Sequence, residues 1–304
     1  MDKRAYIRDE FSKIQIELSE KQAEQFEQYY EMLIAKNEVM NLTAITEFEE
    51  VVQKHFIDSV MIKEVREPGD NEKWIDVGTG AGFPGIPLKI VYPQLQVTLL
   101  DSLNKRVKFL QEVVDALGLE QVEALHGRAE EYAKKAEYRE QYDCCVSRAV
   151  ANLASLSEYC LPFVKVGGAF VPYKSGKIQE EIEAAGKAVE ILGGRIGQRK
   201  EFMLPGSDMY RCLLYIEKVK ATAKKYPRKA GMPTKEPLHL SLIHISVDRQ
   251  GEQPGLKRNI RKLMLLPDVF ENFAPFFFYQ IHHLSPQCPF SRILRKKSNL
   301  SYNQ

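Results

Sequence analysis

Ala23, Phe26, Tyr30, Leu33 and Ile34 fall on one face of a helix, and Ser19 with Gln22 three residues later makes the capping-box pattern that opens it. After a turn near Asn41-Leu42-Thr43, a second amphipathic run follows, made of Val51, Val52, His55, Phe56, Ser59, Val60 and Ile62. Residues 1–65 are expected to form an N-terminal helical element. Pro68-Gly69-Asp70-Asn71 marks the connection to something different.

Beyond Lys73 the period changes. Short apolar runs at 74–77, 96–100, 122–125, 142–146 and 168–172 alternate with helical patterns at 86–91, 105–117, 153–164 and 178–192. Such alternation predicts an α/β domain over 66–238 with a mostly parallel, doubly wound sheet, its ligand at the carboxyl ends of the strands. Two further strands, 195–202 and 211–217, flank Pro205-Gly206 and predict an edge hairpin, which makes seven strands. Residues 239–304 do not continue the pattern; their stretch 270–279 holds six aromatics without a clear period.

Composition changes this picture in one respect. The 304-residue chain carries 43 Lys plus Arg against 41 Asp plus Glu, a net charge of +2. Residues 239–304 hold nine basic and four acidic residues, so the tail is +5 and residues 1–238 are −3. Overall basicity is therefore no argument for a nucleic-acid partner. The tail is expected to be poorly ordered, with a basic, aromatic RNA-binding arm as the alternative. The five cysteines (Cys144, Cys145, Cys160, Cys212, Cys288) have no C-x-x-C spacing and are read as reduced core thiols, and no metal cluster is expected. Without an apolar leader or a membrane-length apolar run, a cytoplasmic protein is expected.

Candidate chemistry centres on Asp76-Val77-Gly78-Thr79-Gly80-Ala81-Gly82-Phe83-Pro84-Gly85, where the first strand hands over to a helix. Glycines there permit positive φ and close approach of backbone to a ligand. Taken alone the loop is equally a structural turn, and its G-x-G-x-G spacing differs from the G-x-G-x-x-G of dinucleotide sites. Asp101 closes the second strand, where an acidic side chain in nucleotide-binding sheets accepts from ribose hydroxyls.

The loop, Asp101 and the strand order resemble class I S-adenosylmethionine-dependent methyltransferases. Six ordered motifs narrow this further: NLTAIT (41–46), KHFIDS (54–59), DVGTGAGFPGIPLKI (76–90), GRAEE (127–131), SRAVA (147–151) and YPRKAGMPTKEPL (226–238). Together they resemble the ribosomal RNA small subunit methyltransferase G (GidB) family over residues 5–238, and the tail departs from it. The resemblance implies methyl transfer from S-adenosylmethionine to N7 of a guanine in the 530 loop of 16S rRNA, as free rRNA or in the 30S subunit, by a monomer.

By position, the resemblance puts Gly78, Gly80 and Phe83 against the methionine and ribose part of the cofactor and Asp101 on the ribose. Ala129 and Glu130 would meet the adenine edge, and Arg148 would stand where cofactor and guanine converge. Lys174, Lys177, Lys224, Lys225, Arg228, Lys229 and Lys235 are candidate phosphate contacts and Tyr226 a base-stacking platform. His55, Asp58 and Ser59 share a helical face that packs toward the cleft, either structurally or as catalytic groups. Guanine N7 carries a lone pair and no proton, so alignment rather than a general base is required. Ser147-Arg148-Ala149-Val150 lacks the N-P-P-Y-like element of exocyclic-amine methyltransferases, and Cys144-Cys145 lacks the preceding Pro of a pyrimidine-attacking cysteine. Three alternatives share part of the pattern: an S-adenosylmethionine-binding methyltransferase acting on another RNA, a nicotinamide-dependent oxidoreductase and a non-catalytic ribosome-associated RNA-binding module.

Overall fold

The computed structural model describes residues 2–238, Lys177 apart. The tail from residue 239, Cys288 within it, and the candidate Lys177 lie outside the described residues. The chain opens with α1 (Lys3–Lys13) and α2 (Glu20–Met40). Ser19 caps α2 through the expected box with Gln22, and Asn41 ends it in the left-handed region. The second amphipathic run is not one regular helix. It passes through α3 (Phe48–Val51), a π-helical segment (Val52–Ile57), α4 (Asp58–Val60) and a 3-10 turn (Met61–Glu64).

The rest alternates: β1 (Lys73–Val77), α5 (Gly85–Val91), β2 (Gln96–Asp101), α6 (Asn104–Ala116), β3 (Val122–His126), α7 (Ala129–Tyr132) and β4 (Tyr142–Ser147). Then come α8 (Leu153–Cys160), β5 (Val164–Ser175), α9 (Gln179–Ile191), β6 (Gly194–Met203), β7 (Tyr210–Lys218) and α10 (Met232–Lys235). The seven strands form one sheet in the order β3-β2-β1-β4-β5-β7-β6, parallel except for β7, which runs antiparallel to both neighbours. The helix expected over 153–164 stops at Cys160 because Pro162 supplies no amide hydrogen; a 3-10 turn (Leu161–Phe163) leads straight into β5, which is longer than the five apolar residues suggested.

Adjacent residues on the strands feed two cores, as a side-chain period of two requires. Trp74, Leu99, Cys144 and Val171 join one face with Phe26, Tyr29, Leu33 and Phe56 of the N-terminal helices. Ile75, Leu100, Cys145 and Phe170 join the other with Leu153, Leu156 and Val189 of α8 and α9. Cys144, Cys145, Cys160 and Cys212 are buried free thiols. Among the described residues no helix is long and apolar enough to cross a membrane.

Candidate active site

The glycine loop follows from where β1 must stop. Gly78, Gly80 and Gly82 all have positive φ (75°, 65° and 108°), a region that disfavours residues with a Cβ. Gly78 donates to the Leu100 carbonyl at 2.8 Å, and Gly80 donates to Asp101 Oδ2 at 3.0 Å, so the loop is tied to the end of β2. A Cβ on Gly80 would meet nothing within 4 Å, whereas one on Gly85 would come within 2.3 Å of Leu99 Cδ2. Space above Gly80 is thus open to a ligand, and Gly85 permits α5 to pack on the sheet. From below, Tyr29 of α2 donates its hydroxyl to the Ala81 carbonyl at 2.6 Å.

Two cavities, of about 410 and about 490 Å³, adjoin the stretch that follows β4, and the first of them includes the start of this loop; each is within the roughly 300–1,000 Å³ of small-molecule sites. The first is walled by Val77 and Gly78, by Leu100 and Ser102 on either side of Asp101, by the 127–130 stretch, and by Gly231 and Thr234 of the C-terminal segment. The second is walled by Asp58, Arg148, Tyr173, Lys174, Glu181, Met209 and Arg211. They share Ala149, Val150 and Ala151, the stretch that follows β4. Val150 is fully exposed there.

Charge in the second cavity is organised around Asp58, which is 1% exposed. Its Oδ2 accepts from Arg148 Nη1 at 3.0 Å and its Oδ1 from Arg211 Nε at 2.8 Å. Arg148 Nη1 also donates to the Lys54 carbonyl at 3.3 Å, and the guanidinium lies 5.1 Å from the Phe83 ring centroid. Arg148 Nη2 meets His55 Nδ1 at 3.3 Å, and His55 Nε2 meets the Thr43 hydroxyl at 2.8 Å. Burial, reinforced by the Arg148 charge, pushes the His55 pKa down to about 3, so the ring is neutral and stacked on Phe83 at 4.5 Å. Ser59 turns its hydroxyl back to the His55 carbonyl instead of toward the cleft. Burial also raises Asp76 to about 7; its Oδ2 accepts from Thr79 Oγ1 at 2.7 Å and from the Gly85 amide at 2.8 Å.

Of the residues expected at the cofactor, Gly78, Ala129 and Glu130 line the first cavity. Asp101 stands between two lining residues; Oδ1 accepts from Leu103 N at 2.8 Å and Oδ2 from Gly80 N. Phe83 is a correction. It is buried beneath the loop against Tyr29 and His55 and does not line the cavity, because the chain turns inward into α5 there. Arg148 lines the second cavity and not the first.

The RNA candidates separate by burial. Lys224, Lys225, Lys229 and Lys235 are exposed. Tyr226, 8% exposed, packs in the core and cannot stack on a base, which corrects that expectation. Arg228 is likewise a correction: it is the counter-ion of the fully buried Glu158, with Nη2–Oε2 at 2.7 Å. Lys174 sits inside the second cavity, paired with Glu181 at 2.6 Å, instead of on an outer surface. Sequence reasoning missed Arg211, Tyr173, Glu181, Gly231 and Thr234. Their places depend on contacts far apart in the chain, such as the 153-residue separation of Arg211 from Asp58, for which no local pattern exists.

Residues 22–204 match the family model for rRNA small subunit methyltransferase G, GidB. The chain belongs to this family. Proteins named ribosomal RNA small subunit methyltransferase G from Lachnoclostridium phytofermentans and Alkaliphilus metalliredigens resemble it at 56% identity over 223 residues and 50% over 238. Those matches cover 73% and 78% of this chain and 92% and 100% of the relatives. The GidB match includes the glycine loop, Arg148 and both residues of the Lys174–Glu181 pair.

Proposed function

We propose that this member of the GidB family methylates N7 of a guanine in the 530 loop of 16S rRNA, using S-adenosylmethionine held in the first cavity and receiving the base in the second. The observation that carries this reading is that the two cavities share the Ala149–Ala151 stretch at the end of β4, so donor and acceptor can meet there. The first cavity suits the cofactor: Gly78 lines it with a positive-φ backbone that only a residue without Cβ adopts readily, and Gly80, two residues on and outside the lining, leaves open space beside the loop. Asp101 accepts from Leu103, Gly80 and Arg106, the last at 3.4 Å, which uses three of a carboxylate's roughly four acceptor sites and keeps one for a ribose hydroxyl. Ala129 and Glu130 wall the adenine end.

Bound there, S-adenosylmethionine supplies a methyl carbon whose bond to sulfur breaks as the bond to N7 forms, so positive charge passes from sulfur to the purine. N7 has no proton to lose, and the neutral His55 and twice-paired Asp58 are correspondingly not proton acceptors but supports for Arg148. Arg148 orients the base, and the rate enhancement comes from alignment. Outer lysines, Lys225 and Lys229 among them, hold rRNA phosphates. The protein acts as a cytoplasmic monomer on 16S rRNA or the 30S subunit.

Mass spectrometry of 16S rRNA fragments from cells with and without the gene is expected to show one N7-methylguanine lost. If none disappears, the assignment fails. Gly78→Asp, which sets a side chain against Ala149 where a Cβ would already lie at 3.2 Å, is expected to abolish the product.

A further inference from the structure

We infer that the Lys174–Glu181 ion pair reads the Watson–Crick edge of the target base and makes the second cavity selective for guanine, an inference that rests on assigning that cavity to the base. Lys174 lies near the end of β5 and Glu181 in the first turn of α9, with Nζ 2.6 Å from Oε1. Backbone groups fix both ends: Lys174 Nζ donates to the Ala151 carbonyl at 2.8 Å, and Glu181 Oε1 accepts from the Leu153 amide at 2.6 Å. The pair is thereby anchored to the segment that follows β4 and walls both cavities. It lines only the second.

A flipped base is read by hydrogen bonds along its Watson–Crick edge. Guanine offers there an acceptor, O6, followed by two donors, N1–H and the N2 amino group. An ammonium beside a carboxylate presents a donor followed by an acceptor, here Glu181 Oε2, whose two lone pairs can take N1–H and N2–H, the complementary order. Adenine offers a donor followed by an acceptor, which sets like against like. The other carboxylate of the cavity, Asp58, has one oxygen taken by Arg148 and the other by Arg211. Glu181 Oε2 has no hydrogen-bond partner among the described residues, which leaves it for the base.

The same contact assists the reaction. Methylation at N7 leaves the purine cationic without releasing a proton, so N1–H and N2–H bonds to a carboxylate strengthen as the transition state forms. Interactions that grow in the transition state raise kcat rather than merely lower KM.

The test uses 30S subunits reconstituted with 16S rRNA carrying guanine, inosine or 2-aminopurine at the methylated position. Inosine lacks only the N2 amino group; 2-aminopurine keeps it and N7 but lacks both O6 and the N1 hydrogen. Wild type is expected to favour guanine over inosine by roughly 10- to 100-fold in kcat/KM, the strength of a hydrogen bond to a charged group. Glu181→Gln, which keeps an acceptor for Leu153, is expected to lose kcat on guanine and bring that ratio close to one, while binding S-adenosylhomocysteine as wild type does. Lys174→Met is expected to narrow the ratio of guanine to 2-aminopurine, and it carries the test if Glu181→Gln no longer binds S-adenosylhomocysteine. Unchanged ratios in a variant that binds S-adenosylhomocysteine, whatever its absolute rate, overturn the inference. A wild type that binds S-adenosylhomocysteine yet methylates no guanine removes the parent assignment, a distinguishable result that takes this inference with it.

Discussion

Arg148 shows how a single side chain depends on its counter-charges. Its guanidinium is held by Asp58, by the Lys54 carbonyl and by His55, so about one helical turn of the N-terminal element sets the orientation of a residue that stands after β4. The neutral state of His55 is part of that arrangement, and it has a pH signature. An unfolded imidazole takes up a proton below about pH 6.5, whereas folded His55 does so only near 3. The unfolded chain therefore binds more protons between those values, and stability falls as pH falls through that window. For His55→Gln this contribution is absent, so the stability difference between wild type and variant is expected to shrink by roughly 2 kcal/mol from pH 7.5 to pH 5 in urea unfolding. Asp76, raised to about 7, acts in the opposite sense, but it is present in both proteins and cancels. A pH-independent difference would refute the assignment of His55 as a buried neutral group.

At the scale of elements, the C-terminal segment 219–238 behaves as a strap across one end of the first cavity. Arg139 grips it through the Thr222 and Tyr226 carbonyls at 2.7 and 2.9 Å. Arg228 pairs with buried Glu158 on α8, Gly231 donates to Glu130 at 3.0 Å, and Tyr159 bonds Thr234 at 2.7 Å. Two strap residues, Gly231 and Thr234, then complete the cavity wall. Removing Arg228 leaves a buried carboxylate without its counter-ion, a change that typically costs about 3–5 kcal/mol. Arg228→Ala is expected to lose that order of stability and to bind S-adenosylhomocysteine at least tenfold more weakly in calorimetry, through loosening of the strap. Unaltered affinity would separate the strap from the cofactor site. The motif YPRKAGMPTKEPL reads as a basic RNA-binding run in the sequence because charge is visible there and burial is not; packing turns Tyr226 and Arg228 inward and leaves the lysines outside.

For the molecule as a whole, the net charge of +2 is the sum of an acidic part that contains both cavities and a basic tail. The curated relative from Alkaliphilus metalliredigens is matched over all of its length by 238 residues of alignment. A chain ending at Leu238 is therefore expected to methylate 30S subunits within about twofold of the full-length rate, measured by radiolabelled methyl incorporation; a large drop would assign the tail a role in RNA capture. Periodicity alone predicts the strand–helix alternation, the edge hairpin and the helical N-terminal element, because amphipathic spacing follows directly from which face each element buries. The glycine loop and Asp101 were legible for a similar reason: positive φ and close approach leave a mark on residue type at one place in the chain. What belongs to the folded chain is the meeting of distant residues. The Arg148–Asp58–Arg211 network, the Lys174–Glu181 pair and the strap's closure over the first cavity join segments separated by β-strand crossovers. Local sequence carries no trace of such pairings, since a charged side chain looks the same whether its partner is water or a buried carboxylate.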